Sequence, residues 1–162
     1  MRRAVLLVAF LLALPATAKA QFMVFGGQQT WSYSGGGSYT GMGGGVGLRT
    51  GILPIFDIAV DASYYVFDDE NGEKPSSLNY TASAILGKKN DRVNLYAGIG
   101  KYDLRFDNAS ESATVGVHGG VTIHLLGPLS ADARMVLLQA NDGTYDEKVS
   151  TKIFPISIRF QF

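Results

Sequence analysis

The chain has 162 residues, of which 20 are Gly and none is Cys, and its 14 Lys and Arg balance 14 Asp and Glu. The length suits one domain, and the absence of Cys excludes a disulfide scaffold, a CxxC redox site and a thiolate zinc site. The balanced charge leaves no basic footprint for nucleic acid, and a charged fraction of only 17% with so much Gly argues against a helical bundle.

Residues 1–20 read as a secretory signal peptide. Arg2 and Arg3 give a basic start, residues 4–14 are an unbroken apolar run, Pro15 breaks it, and Ala18-Lys19-Ala20 supplies small residues at a cleavage point. The apolar run is too short to span a bilayer as a helix. The mature domain is expected to cover residues 21–162, with Gln21 first and a net charge of about −3.

Beyond Gln21 the apolar pattern has period two, not 3.6. The first strand, around residues 22–33, fits either register, and Met23, Phe25, Trp31 and Tyr33 are expected outward. The next covers residues 42–48, with Met42, Val46 and Leu48 against Gly43, Gly45, Gly47 and Arg49. The Phe56–Phe67 segment sets Phe56, Ile58, Val60, Ala62, Tyr64 and Val66 against Asp57, Ala59, Asp61 and Ser63. Residues 78–86 set Leu78, Tyr80, Ala82, Ala84 and Leu86 against Asn79, Thr81 and Ser83.

The fifth strand starts at Val93 and carries Leu95, Ala97 and Ile99 on one face. Tyr102, Leu104 and Phe106 follow with the opposite parity, so a bulge near Gly100-Lys101 is expected. Residues 113–125 alternate Val115, Val117, Val121, Ile123 and Leu125 with Thr114, Gly116, His118, Gly120, Thr122 and His124. Residues 129–137 alternate Leu129, Ala131, Ala133, Met135 and Leu137 with Ser130, Asp132 and Arg134. The last strand, residues 154–162, sets Phe154, Ile156, Ile158, Phe160 and Phe162 against Pro155, Ser157, Arg159 and Gln161. Eight strands allow roughly 18 residues per strand and connection, which fits membrane strands of about 9–11 residues.

Connections at 50–54, 88–91 and 126–128 are tight, whereas those at 34–38, 68–77, 107–112 and 141–149 are longer or more polar. Short turns at one end and longer loops at the other are the asymmetry of a transmembrane barrel, and strands in lipid need both edges paired. The predicted fold is therefore all-β, an eight-stranded antiparallel up-and-down transmembrane β-barrel. The greasy face is too large for an eight-strand interior, so it should meet lipid. Arg49, Asp57, Asp61, Asp132, Arg134 and Arg159 should then form a balanced charge network in a closed, packed lumen. Aromatic side chains should form two girdles: Phe25, Phe56, Tyr96, Phe160 and Phe162 at the turn end, and Trp31, Tyr39, Tyr64, Tyr80, Tyr102 and Phe154 at the loop end.

As a pattern, the whole mature chain resembles the small bacterial outer-membrane β-barrel superfamily, OmpA-like and OmpX-like in size. The specific motif is the C-terminal FPISIRFQF, which resembles the terminal strand signal of such barrels; Pro155 departs from an ideal strand, toward the loop end. The resemblance implies that Ile158, Phe160 and Phe162 act as an insertion signal for the barrel-assembly machinery. It also implies residence in the outer membrane among lipids and lipopolysaccharide, as a monomer, with no nucleic acid. The expected role is envelope integrity or surface interaction through the loops. The alternatives are a narrow channel for small or hydrophobic solutes and an outer-leaflet lipid-modifying enzyme.

Catalytic and cofactor chemistry finds little footing. Gly43–Gly47 lacks the βαβ context and the Lys-Ser/Thr of a phosphate loop and reads as packing space (residues 43–47). His118 and His124 stand six residues apart on one strand, roughly 20 Å, too far to share a metal, and hydrogen bonds to Ser, Thr or Asp suit them better. Neither is followed by the x-Ser of the outer-membrane lipid A deacylases. Asp57 and Asp61, about 13 Å apart, are too distant for an acid–base pair and suit partners among Arg49, Arg134 and Arg159. The acidic run 68–73 lacks EF-hand spacing. No enzyme, cofactor or metal is expected.

Overall fold

The structure is a computed structural model that describes residues 20–33, 37–53, 55–68, 74–87, 91–105, 114–141 and 148–162. The expected signal peptide, most of the acidic run and Phe106 lie outside the described residues. Eight strands follow one another: β1 (Gln21–Tyr33), β2 (Ser38–Leu53), β3 (Phe56–Phe67), β4 (Ser76–Leu86), β5 (Val93–Arg105), β6 (Thr114–Leu126), β7 (Leu129–Asn141) and β8 (Lys148–Gln161). Each pairs antiparallel with its chain neighbour, and β1 pairs with β8, so the sheet closes into a barrel. Closure leaves no strand edge unpaired, which is the condition for crossing a membrane with strands. No helix among the described residues is long and apolar enough to cross one.

Alternation sets the two faces. Ile158, Phe160 and Leu86 are 44%, 45% and 59% exposed on the outer wall, while Asp61 and Arg159 are 7% and 5% exposed in the lumen. At the tight end, Gly127 at φ +55° and Gly87 at φ +111° take left-handed conformations that a side chain disfavours. Inward glycines make room for rings: a Cβ on Gly45 would lie 2.7 Å from Cζ of Phe25, and one on Gly43 would lie 2.8 Å from Cδ1 of Tyr65.

Four expectations need correction. First, β1 has the opposite register: Met23, Phe25 and Trp31 are buried in the lumen at 1%, 7% and 4% exposure, and Phe22 and Val24 face out. Its apolar residues are split between parities, so alternation alone could not choose; the pairing Met23↔Gly47 and Phe25↔Gly45 sets them over glycines that leave space inside. Second, β5 contains no bulge at Gly100-Lys101. It stays in register with β4 from Ser76↔Arg105 to Leu86↔Leu95, which sends Lys101 outward and Tyr102 inward. The register shifts fall instead at Gly51/Leu53 and His124/Leu126, beside the turns.

Third, the aromatic girdles are thinner than expected. Phe25, Trp31, Tyr96 and Tyr102 are lumen residues, and Tyr39 packs on the lumen cluster. The outer wall keeps Phe56, Phe160 and Phe162 at the turn end and Tyr64, Tyr80 and Phe154 at the loop end. Fourth, β8 starts at Lys148, which places Pro155 in mid-strand. The β7–β8 ladder is in register on both sides of it but lapses between Ala133↔Ile156 and Val136↔Ile153, where Pro155 offers no N–H.

Candidate functional site: the barrel lumen

The lumen is layered. Near the turn end, Nε of Arg49 on β2 donates to Oδ2 of Asp57 on β3 at 2.7 Å, and its NH2 group reaches Oδ1 of Asn94 on β5 at 3.3 Å. Met23, Ala59, Ile85 and Tyr96 pack as an apolar group on the same inner wall.

The middle layer is a relay of charges joined by one phenol. NH2 of Arg134 pairs with Oδ2 of Asp61 at 3.1 Å, its NH1 donates to Thr81 at 3.2 Å, and its Nε donates to the Tyr96 hydroxyl at 3.3 Å. That hydroxyl donates to Oδ2 of Asp132 at 2.9 Å. Asp132 also accepts from NH2 of Arg159 at 2.8 Å and from Thr122 at 2.8 Å. The Tyr96 ring lies 5.4 Å from the Arg134 guanidinium and 5.8 Å from that of Arg159, which also covers Phe25 at 5.2 Å. Ring faces carry partial negative charge, so they stabilise cations withdrawn from water. The lumen network thus joins Arg49 to Asp57, Arg134 to Asp61 and Arg159 to Asp132, and buried charges tolerate desolvation only in such paired and hydrogen-bonded states.

Above it, Oγ of Ser77 donates to Oδ1 of Asn79 at 2.7 Å, and Nδ2 of Asn79 donates to Ser63 at 3.3 Å. Toward the loop end the lining turns apolar: Trp31, Tyr65, Phe67, Tyr102, Val136, Leu138 and Ile153 pack together, with Trp31 edge-on to Phe67 at 6.3 Å. Sequence reasoning missed this layer. Its signal was available: the parity that turns Met135 and Leu137 outward turns Val136 and Leu138 inward. A cavity of about 10 Å³, bordered by Gln29, Ser63, Arg134, Pro155 and Arg159, lies in the lumen, room for about one water molecule.

The two histidines make separate local contacts. His118 meets Oγ of Ser83 at 2.8 Å through Nε2 and the Tyr102 hydroxyl at 3.1 Å through Nδ1, while His124 meets Oγ of Ser130 at 2.9 Å. Among the described residues no group of three or more His, Asp and Glu is placed to hold a metal ion. The C-terminal residues Ile158, Phe160 and Phe162 lie on the outer wall, the last 70% exposed.

A closed eight-strand antiparallel barrel with an apolar outer wall and a filled interior defines the class by its fold: a small transmembrane β-barrel. Solved structures of that class match the chain along most of its length. Neisserial surface protein A is 18% identical, over 88% of this chain and 97% of its own, with a TM-score of 0.58. The attachment invasion locus protein of Yersinia pestis, Ail, is 15% identical over 88% and 98%, with a TM-score of 0.58. The outer membrane enzyme PagL is 14% identical over 85% and 98%, with a TM-score of 0.55. No protein-family model and no curated protein sequence matches the chain.

Proposed function

We propose that the protein is a non-catalytic, non-conducting barrel of the bacterial outer membrane that acts in envelope integrity or in surface contact through its loops. The observation that carries this reading is the filling of the lumen at successive heights by paired ions, an amide–hydroxyl layer and an apolar layer. Such a stack of described residues opposes a continuous wet path for solutes. The Ser83–His118 pair supports the non-catalytic reading: both side chains are buried in the lumen, at 5% and 4% exposure, away from any lipid substrate.

Contact with lipopolysaccharide is supported by Lys101, Arg105 and Lys152, which are exposed at the loop-end limit of the outer apolar wall, where anionic headgroups would lie. Ile158, Phe160 and Phe162, outward on the strand that closes the barrel, are the proposed signal for the assembly machinery. Similar solved structures include Ail in complex with the heparin analogue sucrose octasulfate, a ligand-binding example on this fold.

Planar-bilayer recording tests the central claim: the refolded protein should give no steady single-channel current, and a large stable current would replace this reading with the channel one. Lipid A mass spectra from cells with and without the protein should be identical; a difference would make it an enzyme. Cells lacking it should lose resistance to detergent or change their adhesion to host-type surfaces.

A further inference from the structure

We propose that the outer face of β1 is a contact surface for a second copy of this chain, centred on Gln28. This rests on the transmembrane-barrel reading. The register found for β1 turns Phe22, Val24, Gly26, Gln28, Thr30 and Ser32 toward the lipid. From Gly26 onward that face is small or polar, and the paired positions on β2 include Gly44, Thr40 and Ser38.

Gln28 is exposed, and its side-chain amide makes no hydrogen bond to the described residues. Its cross-strand neighbours Met42 and Ile156 are 68% and 64% exposed, so its amide stands within apolar wall and not at the polar rim. Thr30 and Thr40 satisfy each other at 3.1 Å, which leaves Gln28 as the group in need of a partner. An amide surrounded by hydrocarbon is costly until it is hydrogen-bonded, and membrane segments associate through small residues and such polar groups.

The surface is shaped for close approach. A Cβ on Gly26 would meet only the carbonyl oxygen of Gly43, at 3.5 Å, an ordinary contact. The barrel itself therefore tolerates a side chain there, and Gly26 with its partner Gly44 leaves a shallow floor one step along the strand from Met42, Gln28 and Ile156. A primary amide carries both donor and acceptor, so two Gln28 side chains related by a twofold axis complete each other, as an isologous interface requires. Acyl chains offer no such partner.

Because the chain has no Cys, single cysteines can map the contact. Full mature chains carrying Thr30→Cys, or Val117→Cys on β6, are refolded into phosphatidylcholine vesicles and oxidised. Covalent dimer should form at Thr30→Cys and not at Val117→Cys. Adding Gln28→Leu should lower its yield about tenfold, and Gly26→Phe should abolish it. Equal yields at both cysteines, no dimer at either, or a yield indifferent to Gln28→Leu and Gly26→Phe would overturn the proposal. Unboiled gel mobility of every variant separates this failure from failure of the barrel reading: a folded barrel runs differently from its boiled form.

Discussion

The hydroxyl of Tyr96 accepts from Nε of Arg134 at 3.3 Å while the ring lies 5.4 Å from the same guanidinium. One side chain therefore meets Arg134 with both its polar tip and its aromatic face, and passes the interaction to Asp132. Tyr96→Phe keeps the ring and deletes the relay, leaving Arg134 and Asp132 each short of one hydrogen bond in a buried site. The expected loss is about 1–3 kcal/mol. Urea unfolding in detergent micelles measures it, with the single tryptophan, Trp31, as probe. An unchanged midpoint would show that the phenol bridges nothing of consequence.

Arg134 itself should be far less replaceable. Arg134→Ala leaves Asp61 buried with its charge uncompensated, and about 3–5 kcal/mol should go with it. Replacing both partners, Arg134→Met with Asp61→Leu, removes the stranded ion and should recover most of the loss. Heat-modifiable mobility ranks the variants: the single substitution should unfold at the lowest temperature and the double close to the parent. A double variant as weak as the single would mean that the arginine acts through Thr81 and Tyr96 more than through its ion pair.

Gly98→Val pits strand propensity against packing. Valine is a better strand former than glycine, so propensity alone makes the change stabilising. A Cβ at Gly98 would, however, clash with the Ala82 carbonyl and stand 2.8 Å from Nε2 of His118, the nitrogen that meets Ser83. Overpacking of this kind costs about 1–3 kcal/mol, and destabilisation is expected. The same urea titration decides the sign.

On β3, β7 and β8 the direction of the faces was legible because charged residues mark the inside: Asp57, Asp61, Asp132, Arg134 and Arg159 each alternate with apolar neighbours. Tyr96 was misjudged although its own strand carried the answer, since the alternation that turns Leu95 and Ala97 outward turns Tyr96 inward. Aromatic identity was weighed above parity, and rings that shield buried arginines look the same in sequence as rings at a membrane interface. The apolar layer of Phe67, Val136 and Ile153 was overlooked for a related reason: parity turns Val136 inward, but the layer breaks the rule of a uniformly polar interior. Pro155 gave its irregularity away, but its position in mid-strand depended on six residues of β8 that alternation alone did not claim.

The register of β1 was the least determined, since it bears no charge and its apolar residues fall on both parities, and it is open to a direct test. Val24 is 39% exposed and Met23 is 1% exposed, one residue apart on the same strand. In the Cys-free background, Val24→Cys in lipid vesicles should carry a fluorophore that lipid-borne quenchers reach. Met23→Cys, enclosed opposite Gly47, should resist labelling until the barrel is unfolded. The opposite result, with position 23 quenched from the lipid and position 24 shielded, would reverse the strand. Trp31 would then leave the lumen cluster and Gln28 the outer wall.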